Sequence, residues 1–172
     1  MKKVLFYPIT LVVLLVLQML AVNYLSIKES FPNLFLLATI YFALRHGAVT
    51  GMTFGFFSGL IQDTFITGPF GANALINTLI GFVVSFFQRK IYEDNKFVQS
   101  GLVVISSFVY CWSIVLVQYV FNNLVYTMPF SRSIVFSLYN GIVAPLVFMA
   151  LSLWESKYVA GNEQSAKKYI SK

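Results

Sequence analysis

The chain has 172 residues, of which 58% are hydrophobic and only 10% are charged. Soluble domains are typically about 45–50% apolar and about 25% charged, so a soluble fold of this length would expose too much apolar surface to water. The composition excludes a soluble domain and predicts an all-α integral membrane protein. The single cysteine, Cys111, excludes an intrachain disulfide and a cysteine metal site.

The first membrane-spanning helix is predicted over residues 4–26, which contain no charge. A bilayer core about 30 Å thick needs roughly 20 apolar residues of helix, and this stretch satisfies that length. Lys2 and Lys3 before it resemble the start of a signal peptide. However, the apolar stretch is too long for one and no cleavage site follows it, so a retained helix is expected.

The second and third helices are predicted over residues 31–45 and 47–62, with Arg45 and His46 at the junction between them. Each has only about 15 residues, or roughly 22 Å of helix. They either cross a thinned membrane as two short spans or form a re-entrant hairpin enclosed by other helices. Two spans are favoured, because a hairpin would bury Arg45 in the middle of the membrane.

Three further spans are predicted over residues 72–88, 98–122 and 133–154. The six helices together form one membrane domain, residues 1–158. Residues 159–172 are predicted to be a short basic tail.

Cations are distributed unequally between the two sides of this six-helix arrangement. One side holds ten: Lys2, Lys3, Arg45, Arg89, Lys90, Lys96, Lys157, Lys167, Lys168 and Lys172. The other side holds only Lys28 and Arg132. Positive charge accumulates on cytoplasmic loops, so both termini are predicted to be cytoplasmic. The basic pI of about 9.5 is thus a signal of topology, and nucleic-acid binding is not expected, although the tail lysines could touch anionic lipid.

The third helix has a regular row of small residues. Gly47, Gly51, Gly55, Gly59 and Asp63 recur at every fourth position, and this spacing places them on one helix face. Glycine lets two helix backbones approach closely in a membrane. The row indicates either tight packing within the chain or a docking face for a partner helix, and packing is favoured.

A similar stripe of Asn73, Asn77, Gly81 and Ser85 lies on the fourth helix. Because an unpaired carboxamide is costly in an apolar medium, both stripes are predicted to face the bundle interior. A ligand pocket at Asn73 and Asn77 is an alternative to simple packing.

Asp63 ends the third helix, where a negative charge opposes the helix dipole and needs compensation. An ion pair with Lys28, with Arg132 or with a partner protein is one hypothesis, and a solvated acid at the membrane interface is the other. Gly71 ends a predicted turn, Asn140 is a further interior polar candidate, and Pro145 should kink the sixth helix and free a carbonyl.

Catalytic machinery is not evident. His46 is the only histidine, Cys111 has no neighbouring base, and the sequence shows no paired carboxylates, phosphate loop or zinc spacing. The predicted spans also lack the ionisable groups of a proton relay. No enzyme activity, cofactor or metal is therefore expected.

Several of these segments, taken in order, resemble the rod shape-determining protein MreD family. They are Phe31-Pro32-Asn33-Leu34, the glycine-rich stretch 55–63, the turn and helix start at 68–75, and Tyr139-Asn140 followed by Ala144-Pro145. The resemblance covers most of the chain, and no single motif is as specific as a catalytic signature. Asn33 departs from the family pattern, which commonly has Asp there.

The resemblance implies a non-enzymatic scaffold in the bacterial cytoplasmic membrane that binds the single-span protein MreC. The wider elongation complex of that family includes MreB, RodZ, RodA and a class B penicillin-binding protein, which together direct lateral peptidoglycan synthesis and cell shape. The family also implies a compact bundle similar to the substrate-binding subunits of energy-coupling-factor transporters.

The alternative is that the chain is itself a small-molecule-binding subunit of such a transporter. Those subunits typically have alanines at four-residue spacing on the first helix, whereas this helix has only Ala21. The residues available for a pocket, Asp63, Asn73, Asn77 and Arg132, are few, so the scaffold is favoured.

Overall fold

The computed structural model describes residues 2–24, 30–65, 69–88, 96–122 and 129–170, with side chains described except at 2–4, 122 and 159–170. These ranges contain six helices, which confirms the all-helical class. Their bounds are α1 Lys2–Tyr24, α2 Leu34–His46, α3 Ala48–Asp63, α4 Ala72–Ser85, α5 Lys96–Asn122 and α6 Phe130–Ile170.

Three of the helices are long and apolar enough to cross a membrane: Leu5–Tyr24, Lys96–Phe121 and Phe130–Tyr158. Their outer faces expose large apolar side chains, including Val12, Val16 and Leu20 at helical spacing on α1. Such a surface suits contact with lipid rather than water. The chain is therefore a membrane protein.

The α2 helix forms the centre of the bundle. Every residue from Leu34 to Leu44 is buried, since α1, α3, α4 and α6 all pack against this helix. Its sequence has no charge before Arg45, so all of its faces can enter an apolar core. That α2 and α3 are two short spans stays a prediction, because neither reaches the length of the three long helices.

A single residue, Gly47, connects α2 to α3 and reverses the chain direction. Its φ is +85°, a conformation that L side chains rarely adopt. The Gly47 N–H donates to the Ala43 carbonyl at 3.0 Å, which closes the last turn of α2. The α3 helix then makes its most extensive packing with α4.

The α6 helix begins at Phe130, three residues before the predicted start of the sixth span, and continues to Ile170. Its only proline, Pro145, lies well inside the apolar part. No proline follows, so nothing in the sequence forces the helix to stop at 154.

Candidate functional site

Three glycines of α3 form a close seam with α4. A Cβ on Gly55 would lie 2.5 Å from the Asn77 carbonyl oxygen, and one on Gly51 would lie 3.1 Å from the Gly81 oxygen. A Cβ on Gly59 would overlap the backbone of Asn73 and Ala74. We call Gly51, Gly55, Gly59 and Gly81 the glycine seam. Because α4 occupies this face of α3, it is not open to another helix.

Gly47 and Gly71, the two other glycines predicted as site residues, are not part of the glycine seam. A Cβ on Gly47 would lie 2.9 Å from Gln88 Oε1, near the hydrogen bond of 3.2 Å from Gln88 Nε2 to the Arg45 carbonyl. Gly71 has open space around it but a φ of +94°. Both positions require glycine mainly because their φ is positive. Gly47 is the N-cap residue of α3, and Gly71 is the N-cap residue of α4.

Asp63 at the end of α3 caps the beginning of α4. Its Oδ1 accepts from the Asn73 N–H at 3.0 Å and from Asn73 Nδ2 at 2.9 Å, and its Oδ2 accepts from the Ala74 N–H at 3.1 Å. The first N–H groups of a helix lack internal partners and favour negative charge. The start of α4 therefore compensates the charge of Asp63, a role for which the sequence had suggested a cation. Of the two cations considered, Lys28 lies outside the described residues.

A chain of amides links α2, α3, α4 and α6. The Asn33 N–H donates to Asn140 Oδ1 at 2.9 Å, and Asn33 Oδ1 accepts from Gln62 Nε2 at 2.7 Å. Gln62 Oε1 in turn accepts from Asn77 Nδ2 at 2.9 Å. We call Asn33, Gln62, Asn77 and Asn140 the amide chain. Its members are all buried, so the bonds hold four helices in register.

The remaining two helices are tied to the same end of the bundle. On α1, Gln18 Nε2 donates to the Pro32 carbonyl at 3.0 Å, and Gln18 Oε1 accepts from the Leu34 N–H at 2.8 Å. On α5, the Tyr110 hydroxyl donates to Asn73 Oδ1. Gln18, Gln62 and Tyr110 were not predicted as site residues. The two glutamines could have been recognised from the sequence, because each is a polar residue inside an apolar helix.

Asn140 and Pro145 lie five residues apart on α6, and only Asn140 joins the amide chain. Pro145 has no N–H to donate to the carbonyl of Gly141 one turn earlier. Gly141 faces α5, where an added Cβ would overlap the side chain of Val104. The two helices therefore approach closely beside Asn140.

A buried carboxylate at the opposite end of α2 was missed by sequence reasoning. Glu155 accepts from the Tyr41 hydroxyl, from Arg45 Nε and from His46 Nε2, each at 2.9 Å. Glu155 is only 8% exposed. We call Tyr41, Arg45, His46 and Glu155 the Glu155 cluster. The charge of Arg45, next to His46, could have indicated such a group, since a cation within a membrane protein needs a counter-charge.

The surface between α4 and α5 is an apolar groove of about 850 Å³, with walls running from Leu75 to Phe87 and from Val98 to Val117. A smaller groove of about 440 Å³ lies between α1 and α3, beside Tyr7 and Phe57. Both are suited to hydrocarbon rather than to a polar substrate.

Reactive groups are sparse in the part of the chain that the structure describes. Cys111 is buried, and no three His, Cys, Asp or Glu residues within those ranges come together as a metal site. The polar groups found there bond mostly to one another and to the backbone. They can hold helices in place.

These features define a class: a multi-helix membrane protein whose polar and small residues serve helix packing. The sequence model of the rod shape-determining protein MreD family matches residues 1–158. The chain belongs to that family, as its motifs predicted, and it has a role in determining rod shape. No curated protein and no solved structure matches the chain significantly.

Proposed function

We propose that the chain is a non-enzymatic scaffold of the bacterial elongation machinery, in the cytoplasmic membrane. It binds a single-span MreC-type protein and supports lateral peptidoglycan synthesis. The observation that carries this proposal is the MreD family match over residues 1–158. RodA, a class B penicillin-binding protein, MreB, RodZ and membrane lipids are the further partners proposed.

The packing of the bundle supports a scaffold. The glycine seam, the amide chain and the Glu155 cluster connect the helices to one another, which gives a fixed arrangement of apolar outer faces. Helices associate in a membrane chiefly by close packing of such faces. Since α4 covers the glycine seam, a partner helix must use another face of the bundle.

The unequal distribution of cations supports cytoplasmic termini. It favours an orientation in which the end of the bundle that holds Arg45, His46 and Glu155 faces the cytoplasm and the end that holds Asn33 and Asp63 faces outside. On this orientation the amide chain lies in the outer half of the membrane.

No observation favours the transporter alternative over the scaffold. Asp63 and Asn73, two of the four residues considered for its pocket, are hydrogen-bonded to each other and to α4 or α5. A ligand would have to compete with these bonds.

The test combines depletion with purification from native membranes. Depletion should convert rod-shaped cells to rounded ones, and expression of the intact chain should restore the rod. A tagged copy at native level should recover a single-span MreC-type protein and cell-wall synthases. As a control for the complementation, the variant Gly101→Ala should also restore the rod shape fully, because its new Cβ would meet no atom within 4 Å. Unchanged shape on depletion, or recovery of paired ATPases with a coupling subunit, would contradict the proposal.

A further inference from the structure

Within the ranges that the structure describes, three polar atoms deep in the bundle have no hydrogen-bond partner. They are Asn77 Oδ1 on α4, Ser107 Oγ on α5 and Asn140 Nδ2 on α6. All three residues are 0% exposed. Buried polar groups almost always have a partner, and an internal water commonly supplies it. A fourth such atom, Gln118 Oε1, lies about three turns further along α5 and is separate from these.

The three atoms lie at a similar depth in the bundle. Asn73, at the start of α4, bonds to Tyr110 in the second half of α5, while Phe87 just after α4 and Val98 at the start of α5 line one groove. An antiparallel pairing of α4 and α5 accounts for both contacts. Asn77 is one turn along α4 from Asn73, and Ser107 is about one turn back along α5 from Tyr110. Both steps go in the same direction, so Asn77 and Ser107 are brought to the same level.

Asn140 reaches this level from α6. The neighbouring residue on that helix, Gly141, packs against Val104, which is three residues before Ser107 on α5. In addition, the amide chain connects Asn140 to Asn77 through only two residues, Asn33 and Gln62. A path this short allows the free atoms of Asn140 and Asn77 to reach the same region.

Backbone N–H groups determine which atom of each amide is free. Asn33 Oδ1 accepts from the Leu36 N–H at 3.0 Å, so the Gln62 atom beside it must be the donor Nε2. Gln62 Oε1 then faces Asn77 and requires Nδ2 there, which leaves Asn77 Oδ1 free. At the other end, the Asn33 N–H requires Asn140 Oδ1, which leaves Asn140 Nδ2 free. One end of the chain is thus an acceptor and the other is a donor.

We propose that one buried water molecule closes the amide chain into a ring. The water accepts a hydrogen bond from Asn140 Nδ2, donates one to Asn77 Oδ1 and makes a third with Ser107 Oγ, in which either oxygen can donate. Three bonds are the usual number for an internal water. A bare cation would be repelled by the donor Nδ2, and an anion by the acceptor Oδ1. The site therefore takes a small neutral molecule that both donates and accepts.

The direct test is a crystal structure of the full chain, grown from lipid, at a resolution that shows ordered waters. We expect density within about 2.7–3.2 Å of all three atoms. An empty site with Asn140 Nδ2 bonded directly to Asn77 Oδ1 would overturn the proposal.

The second test uses the sign of a stability change. If water is bound, Ser107→Ala removes a bond and lowers the melting temperature by about 2–4 °C. If Ser107 Oγ is truly unpartnered, the same substitution removes a buried unsatisfied group, and the melting temperature stays constant or rises. The matched control is Ser106→Ala on the adjacent position, which lines the groove between α4 and α5 and should change little. A melting temperature that Ser107→Ala does not lower overturns the proposal.

Discussion

The sharpest test of the packing is Gly55→Ala in the glycine seam. The added Cβ would lie 2.5 Å from the Asn77 carbonyl oxygen, 2.8 Å from the Asn77 carbonyl carbon and 3.0 Å from Thr39 Cγ2. Ordinary contact needs about 3.5–4.0 Å, so α3 and α4 must separate by about 1 Å. The obstacle is the backbone of α4, which cannot rotate out of the way as a flexible side chain can.

The cost has two parts. Overpacking of this kind costs about 1–3 kcal/mol, and displacement of α4 weakens the bond between Asn77 Nδ2 and Gln62 Oε1, which adds about 1 kcal/mol. The expected sum is about 3 kcal/mol. In a chain of this length, that lowers the melting temperature by about 6–12 °C.

The assay is thermal unfolding of the purified protein in one mild detergent, followed by intrinsic fluorescence. Gly101→Ala on α5 is the matched control, because its Cβ meets no atom within 4 Å and alanine is the better helix former. It should melt at or slightly above the temperature of the unaltered protein. If Gly55→Ala melts together with Gly101→Ala, the close approach of α3 and α4 is refuted.

Two further predictions concern the buried carboxylates. Asp63→Asn should lower the melting temperature by about 2–6 °C, because the new amide NH₂ would face an N–H donor at the start of α4 and leave it unsatisfied; an unchanged melting curve would contradict the capping role. Glu155→Gln should also destabilise, since it removes the buried negative charge that binds Arg45 and His46, whereas the double variant Glu155→Leu with Arg45→Met should recover part of the loss. The same melting assay checks both, and a double variant that is less stable than Glu155→Gln would contradict the second.

The helices themselves were accessible to sequence reasoning because each is a local pattern. Runs of apolar residues long enough for a membrane predicted α1, α5 and α6, and the charges at Arg45 and His46 separated α2 from α3. The end of α6 was not predicted, since the change to polar residues after Trp154 marks where the apolar part ends and does not stop a helix.

The polar contacts were only partly accessible. Spacing of four showed that Gly51, Gly55 and Gly59 share a face, and the structure shows that α4 covers it. Asp63 was recognised as needing compensation, but the N–H groups that bind it belong to the next helix. Every residue except proline has a backbone N–H group, so residue identities do not show which of these groups binds a carboxylate. A search for cations could not find them.

The sequence by itself determined the class of environment, the six helices found in the described ranges and the family, because hydropathy, helical spacing and motif order are properties of neighbouring residues. Only the tertiary structure decided which polar groups meet. Asn33 and Asn140 are 107 residues apart, and Tyr41 and Glu155 are 114 residues apart. Their pairing depends on how the helices around α2 are arranged. That arrangement is set by close packing summed over the whole bundle, which no local pattern encodes.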